Sequence, residues 1–367
     1  MPNSGAFSGI ADSAYNLSEL RGYQARLDSG WSLSPSDAGE IVGIIDSALA
    51  VPAPDGSPAA IMDTASVYDK ARSAYLAFNS SVHSAVSKIA GSWTGTRAHA
   101  VTAAFSALLT ATEEEAGQLS SAASALHTWG PALRDAQQED DKGRSDLMAA
   151  KGRLGPITGA VGGVLGVVET VLTGSVYLVP FEIAVSEART GIASMVSGAN
   201  TALTIGEDTA RTLTQLASQG GSWLAAMSNA TQAASQAHDT TGFSVDAANA
   251  QQAITLLQSA ADKLTAGLAG TEVPSAIALG SDVATAWSAF NSHDLSIRKT
   301  VDTTYTELED LTQNAITSYM LADHTVGEKA AKIGGTPGGL VPPSFGQPGP
   351  APAKDLSQRR LAAGLNG

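Results

Sequence analysis

Apolar residues recur along most of the chain at the three- and four-residue spacing of an α-helix. Two rows with a period of seven residues are the most regular, and each lies on one helix face. The first row is Ile61, Tyr68, Tyr75, Val82 and Ile89, and the second is Phe105, Thr112, Leu119, Leu126 and Leu133. Each row predicts a long amphipathic helix. Because only a short glycine-bearing stretch at 91–95 separates them, we expect an antiparallel helical hairpin.

Similar patterns on both sides of this hairpin predict further helices. Near the N-terminus, Ser34 is expected to cap a helix that Pro35 begins. A second hairpin is expected later in the chain, with a first helix starting near Asp246. Its returning helix carries apolar residues at three- and four-residue spacing: Val283, Trp287, Phe290, Ile297, Val301, Leu308, Leu311 and Ala315. Glycine, proline and an acidic run suggest where helices break. A kink or a restart is expected at Gly130-Pro131, and breaks are expected at residues 139–141, Gly191, Gly198 and Gly220-Gly221.

These elements divide the chain into five segments. They are a helical preface at 1–57, the first hairpin at 58–150, a Gly-rich apolar segment with connecting helices at 151–240, the second hairpin at 241–333 and a tail at 334–367. The predicted fold class is all-α, with long antiparallel helical hairpins packed as an elongated helical bundle. The tail is rich in proline and glycine. Since such sequence buries too little apolar surface to offset its chain entropy, we expect it to be disordered.

The segment at 154–185 differs in character, because glycines stand among valines and leucines there. The segment contains Gly159, Gly163 and Gly166, and glycines at such spacings let helices pack closely in membrane proteins. Glu169 interrupts the apolar run that a membrane-spanning helix needs. Two interpretations stay open for this segment. It is either a membrane-active hairpin or a buried helical connector packed through its glycines.

Charge and composition narrow the classes of partner. The net charge is −14 and the pI is near 4.7, which argues against nucleic acid, since phosphate binding needs a basic surface. There are no cysteines, so a disulfide, a thiol nucleophile or a Cys-based metal site is excluded. The first residues lack the basic and apolar regions of a cleavable signal peptide. If the protein leaves the cell, we expect a leaderless route.

No residue pattern indicates catalysis or a cofactor. The six histidines form no zinc motif, and neither a nucleophile elbow nor a phosphate-binding loop is present. The acidic runs at 113–115 and 139–141 do not have the pattern of a calcium loop, and we expect them to be solvated. The protein is therefore expected not to be an enzyme and to bind no cofactor or metal.

The stretch around Trp93-Thr94-Gly95 resembles the WXG family of small secreted helical proteins, including long actinobacterial members. The resemblance rests on the placement of these residues in the turn between two long amphipathic helices. Glycine allows a backbone turn that a Cβ would hinder. The indole of Trp93 can cover the end of the hairpin, with its N–H reaching a hydrogen-bond partner.

The end of the second hairpin resembles the substrates of type VII (ESX) secretion systems. Tyr319 and Asp323 match the Tyr-x-x-x-Asp/Glu secretion signal of that class, and a spacing of four places them on one helix face. Trp287-Ser288-Ala289 is similar to a degenerate WXG turn, with alanine in place of the glycine. The two likenesses together cover about 59–150 and 245–335.

The resemblance implies a secreted or cell-surface, virulence-associated helical protein that acts through protein–protein interaction. Its implied partners are the type VII machinery or a chaperone, and also a second copy or another helical-hairpin protein. Two alternatives stay open. One is the secretion and delivery module of a toxin, and the other is a membrane-perturbing protein that uses residues 154–185. We expect the two hairpins of this chain to pack together and present one composite signal.

Overall fold

A computed structural model describes residues 8–159, 170–239, 244–269 and 275–333. The predicted all-α class is confirmed. The helices are α1 (Ser8–Leu27), α2 (Pro35–Ala50), α3 (Pro58–Ser92), α4 (Thr96–Gly159), α5 (Thr170–Ala217), α6 (Gly221–Gln236), α7 (Ala247–Leu268) and α8 (Ser281–Ile333), with a 3-10 helix at Ala276–Leu279. Two-residue strands β1 (Trp93–Thr94) and β2 (Ser244–Val245) pair in an antiparallel sense.

The predicted buried rows agree with the structure. Every residue of the two period-seven rows at 61–89 and 105–133 has no exposed surface. Helix starts also follow local chemistry. The Ser34 hydroxyl accepts a 3.0 Å hydrogen bond from the amide of Asp37 and caps α2, and Asp246 caps α7 in the same way.

Helices α4 and α5 are longer than the sequence predicts. Pro131 lies inside α4, which continues past the acidic run to Gly159, so the helix does not restart at Gly130-Pro131, and the expected break at 139–141 is wrong. The expected breaks at Gly191 and Gly198 are also wrong, because α5 passes through both. Only the expected break at Gly220-Gly221 coincides with a helix boundary.

Close helix packing explains why glycines stand inside these helices. A Cβ on Gly143 in α4 would lie 2.4 Å from the carbonyl oxygen of Gly191 in α5. A Cβ on Gly198 would lie 2.5 Å from the carbonyl oxygen of Ala136. These glycines therefore let two helix backbones touch, and packing outweighs their weak helix propensity.

The acidic run at 139–141 was expected to be solvated, and this is wrong for Asp140, which forms a buried ion pair. Asp140 is only 2% exposed and accepts a 2.5 Å hydrogen bond from Nε of Arg144, one helix turn later. The other guanidinium nitrogens of Arg144 donate to the carbonyl oxygens of Leu49 and Val51. Arg144 thus satisfies the carboxylate and the carbonyls at the C-terminal end of α2.

The chain forms two units. The first comprises Met1–Ser66, Ser121–Ser218 and Val273–Ser292. Its core joins α1 and α2 to α5 and the last turns of α4, through residues such as Leu20, Ile45, Leu154 and Ile192. The indole N–H of Trp129 donates a 3.0 Å hydrogen bond to the carbonyl oxygen of Leu279.

The second unit comprises Val67–Ser120, Gln219–Glu272 and His293–Gly367. Tyr305 of α8 lies in its core. The Tyr305 ring packs against Phe78 of α3 and Phe105 of α4, with centroids 5.0 and 6.4 Å away, and its hydroxyl donates to the carbonyl oxygen of Leu257 in α7. One side chain therefore joins four helices of this unit. The five-segment division of the sequence stays a prediction.

Part of the apolar segment at 154–185 lies outside the described residues. Gly159 is the last residue of α4, whereas Gly163, Gly166 and Glu169 fall in the interval that is not described. Within the described parts of the chain, no helix combines the length and the apolar character needed to span a membrane.

Two glycines of α4 provide a matched test of the helix packing. Gly143→Ala should destabilise the protein, because the new Cβ would overlap the α5 backbone. Gly152→Ala should stabilise it by about 0.5–1 kcal/mol, since nothing lies within 4 Å of that position and alanine is the better helix former. Chemical denaturation of both variants measures the two effects. Equal shifts in the free energy of unfolding would contradict the close α4–α5 approach.

Candidate functional site

The turn between α3 and α4 is a corner made by Trp93, Thr94 and Gly95. Gly95 has a φ of +123°, a conformation that side-chain-bearing residues rarely adopt, so the backbone here favours glycine. β1 pairs with β2, which places Trp93 opposite Val245 and Thr94 opposite Ser244. The corner is thereby fastened to the segment that leads into α7.

Trp93 is a structural residue of this corner, since it is only 2% exposed. Truncating a buried indole to alanine costs about 3–5 kcal/mol. The expected hydrogen bond of its N–H is absent, because no acceptor among the described residues reaches Nε1. Its ring instead packs on Tyr319 of α8, with centroids 5.9 Å apart and planes inclined by 56°.

Asp239 joins the corner to Tyr319. Its Oδ1 accepts a 2.9 Å hydrogen bond from the backbone amide of Arg97, and its Oδ2 accepts one from the Tyr319 hydroxyl. Partial burial acts to raise the pKa of Asp239, but the hydrogen bonds from Tyr319 and the α4 amides outweigh it and lower this pKa. Burial and the hydrogen bond to Asp239 raise the pKa of Tyr319 to about 12.

The predicted secretion-signal residues lie near the end of α8. Tyr319 is half-buried on the corner, and the next two residues, Met320 and Leu321, are exposed. Asp323 follows within the same helix, but its side chain is outside those described. Trp287, the first residue of the degenerate motif, lies in the second turn of α8, so this motif does not form a second WXG corner.

Asp239 and Arg97 escaped the sequence analysis. Asp239 lies 80 residues from Tyr319 and 142 from Arg97, in a stretch with no recognisable pattern. No local spacing could have connected these positions, because only the folded chain brings them together.

No family model, characterised protein or solved structure matches this chain. The likeness to WXG proteins and type VII substrates therefore rests on the sequence motifs alone. In the described part of the chain, no group of three or more His, Asp or Glu side chains is arranged to hold a metal ion.

A second polar cluster lies in the core of the second unit. Glu115 has no exposed surface, so the expectation that the whole run at 113–115 is solvated is wrong for this residue. Asp294 and Arg298 of α8 form an ion pair at 2.6 Å, with both side chains buried. The period-seven row Val101, Leu108, Glu115, Ala122 and Trp129 is buried throughout, and it could have revealed Glu115.

Glu115 is held in its neutral form by this surrounding. Burial first, and then the charge and hydrogen bond of Asp294, raise the pKa of Glu115 to about 10, against the opposing effect of Arg298. Burial and the nearby carboxyl groups also raise the pKa of the buried Tyr75 hydroxyl. With Glu115 protonated, the one negative charge of the cluster, on Asp294, is balanced by Arg298 in the ion pair.

The raised pKa makes stability depend on pH in a definite direction. Between pH 4.5 and 10 the native state keeps the Glu115 proton that the unfolded chain loses, so this group lowers stability as pH rises. Glu115→Gln cannot ionise and can still donate to Asp294. We expect the variant to have a higher melting temperature than the parent at pH 8, with the difference vanishing toward pH 4.5.

Thermal unfolding followed by circular dichroism across this pH range measures the effect. Glu114→Gln is the matched control, because the neighbouring side chain is exposed. Parallel melting profiles for Glu115→Gln and the parent protein would show that Glu115 is ionised in the native state.

Proposed function

We propose that this protein is a substrate of a type VII secretion system and acts outside the cell, or on its surface, through protein contacts rather than catalysis. The observation that carries the proposal is the contact of the Trp93–Gly95 corner with Tyr319. Trp93 and Tyr319 belong to two motifs that resemble parts of one export signal. They lie far apart in the sequence and meet at one site in the second unit.

A composite signal within one chain explains the arrangement of its two hairpins. Proteins of the WXG family are usually exported as a pair of helical hairpins. Here the α3–α4 hairpin and the α7–α8 hairpin supply the two halves, and within the second unit they pack through Phe78, Phe105 and Tyr305. A second chain is then not needed to complete the signal.

The end of α8 is suited to an encounter with the export machinery or a chaperone. Met320 directly follows the tyrosine and is 36% exposed, and the next residue, Leu321, is 65% exposed. Exposed large apolar side chains beside a polar tag are typical of interaction surfaces. A net charge of −14 favours a partner surface with basic residues.

Replacement of the signal tyrosine tests this function. Tyr319→Ala should stop export, because it removes the ring that packs on the corner, while the helical content stays near that of the parent. Tyr15→Ala is the matched control, since Tyr15 is 63% exposed and its hydroxyl donates to Glu19 within α1.

The measurement compares culture filtrate with cell pellet in strains with and without a functional type VII apparatus. Export of the parent and of Tyr15→Ala should depend on the apparatus. Equal amounts of Tyr319→Ala in the filtrate would reject the signal assignment, and export without the apparatus would reject the function itself.

A membrane-perturbing activity is a second candidate, favoured by an exposed apolar surface on α5. Leu178, Val179 and Ile183 are each more than 40% exposed, and they lie within the segment at 154–185. Apolar side chains grouped in this way can enter the boundary of a lipid bilayer.

A dye-release assay with phosphatidylcholine vesicles tests the second candidate. Changing Leu178, Val179 and Ile183 together to serine should reduce release, because the apolar area available to lipid is lost. Leu76→Ser alters an exposed leucine elsewhere and should leave release unchanged. An absence of release by the parent protein at every pH tested would remove this candidate.

A further inference from the structure

We propose that Asp239 is the positioning residue of the export tag: its carboxylate holds Tyr319 on the Trp93–Gly95 corner, so that the tag is assembled only in the folded chain. This inference rests on the proposed function. It adds a residue, a physical role and a condition for recognition that neither motif contains.

The two oxygens of Asp239 serve different helices. Oδ1 accepts from the Arg97 amide at 2.9 Å, and Oδ2 accepts from the phenol of Tyr319. Hydrogen bonds to a carboxylate are stronger than those between neutral groups. One side chain therefore ties the first turn of α4 to Tyr319 in the C-terminal half of α8.

The bond to Arg97 meets a need of α4. The first amides of a helix have no acceptor within the helix, and a serine or aspartate just before the helix normally supplies one. Gly95 stands at that position and has no side chain to do so. Asp239 takes this role from a distant part of the chain, and its negative charge is favoured by the helix dipole.

The absence of a side chain on Gly95 also leaves room for the Asp239 carboxylate. A Cβ built on Gly95 would lie 2.5 Å from Oδ1 of Asp239, closer than a carbon and an oxygen can approach. The space that the glycine leaves open is thus filled by the carboxylate that holds the tyrosine. This connects the glycine of the corner to the position of the tag.

The consequence is a signal that reports on folding. Trp93, Asp239 and Tyr319 belong to separate segments, and in an unfolded chain nothing holds them together. Removing the Asp239 carboxylate should release the Tyr319 hydroxyl while α8 stays helical. The tag would keep its sequence and lose its fixed geometry.

The test compares Asp239→Ala with Asp37→Ala. Asp37 is the matched control because its carboxylate also accepts from one backbone amide and one hydroxyl, both of Ser32, and it takes no part in the tag. Tyr319→Phe is a second variant that keeps the ring and removes only the bond to Asp239. All three are measured in the full-length protein.

Two readouts follow the position of the tyrosine directly. Carbon NMR of tyrosine Cζ should show the pKa of Tyr319 falling from about 12 toward its ordinary value of 10 in Asp239→Ala. Hydrogen exchange at the amides of residues 96 and 97 should become faster in Asp239→Ala and stay slow in Tyr319→Phe. Neither readout should change in Asp37→Ala.

Export is the third readout. Asp239→Ala and Tyr319→Phe should be depleted from the culture filtrate at least severalfold, whereas Asp37→Ala should be exported like the parent. Export of Asp239→Ala at the parent level, or an equal loss in Asp37→Ala, would overturn the inference. If export of the parent does not need the type VII apparatus, the proposed function fails. An unchanged pKa of Tyr319 or unchanged amide exchange in Asp239→Ala would separately overturn the positioning role of Asp239.

Discussion

Close approach of helix backbones is the constraint on which this structure depends. The chain has few aromatic residues and is rich in small ones, so its helices gain little from large side chains and much from direct contact. Gly143 and Gly191 let α4 and α5 touch in the first unit, and Gly267 meets Ala74 between α7 and α3 in the second. Such contacts leave little freedom to slide, because a shift of one turn would replace a glycine by a larger side chain.

Tight packing also decides how polar groups are accommodated. A buried polar group without a partner costs about 1–3 kcal/mol, and a buried charge costs more. Arg144 meets Asp140 and the carbonyls that end α2, whereas Glu115 keeps its proton beside the Asp294–Arg298 pair. At the corner, the buried N–H of Trp93 has no acceptor among the described residues, and the indole ring packs on Tyr319.

The sequence predicted what a regular pattern can encode and missed what depends on a distant neighbour. The rows at 61–89 and 105–133 were correct because burial repeats with the helix. The breaks expected at Gly191 and Gly198 are absent, since local propensity is weak beside the packing of a long helix. Asp239 could not be predicted at all, because a single carboxylate in a loop carries no period and its partners lie in other segments.

The difference between local patterns and contacts of distant residues also matters for how an export signal can be recognised. A linear motif such as Tyr-x-x-x-Asp occurs by chance in many helices, and a machine that reads it alone would select poorly. In the export signal proposed here, a ring, a carboxylate and a glycine from three segments must coincide within a few ångströms at the α3–α4 corner. That coincidence requires α3, α4 and α8 to be folded together in the second unit, so a tag of this kind carries more information than its residues do separately. The discrimination would then come from the fold, with the motif residues as its accessible part.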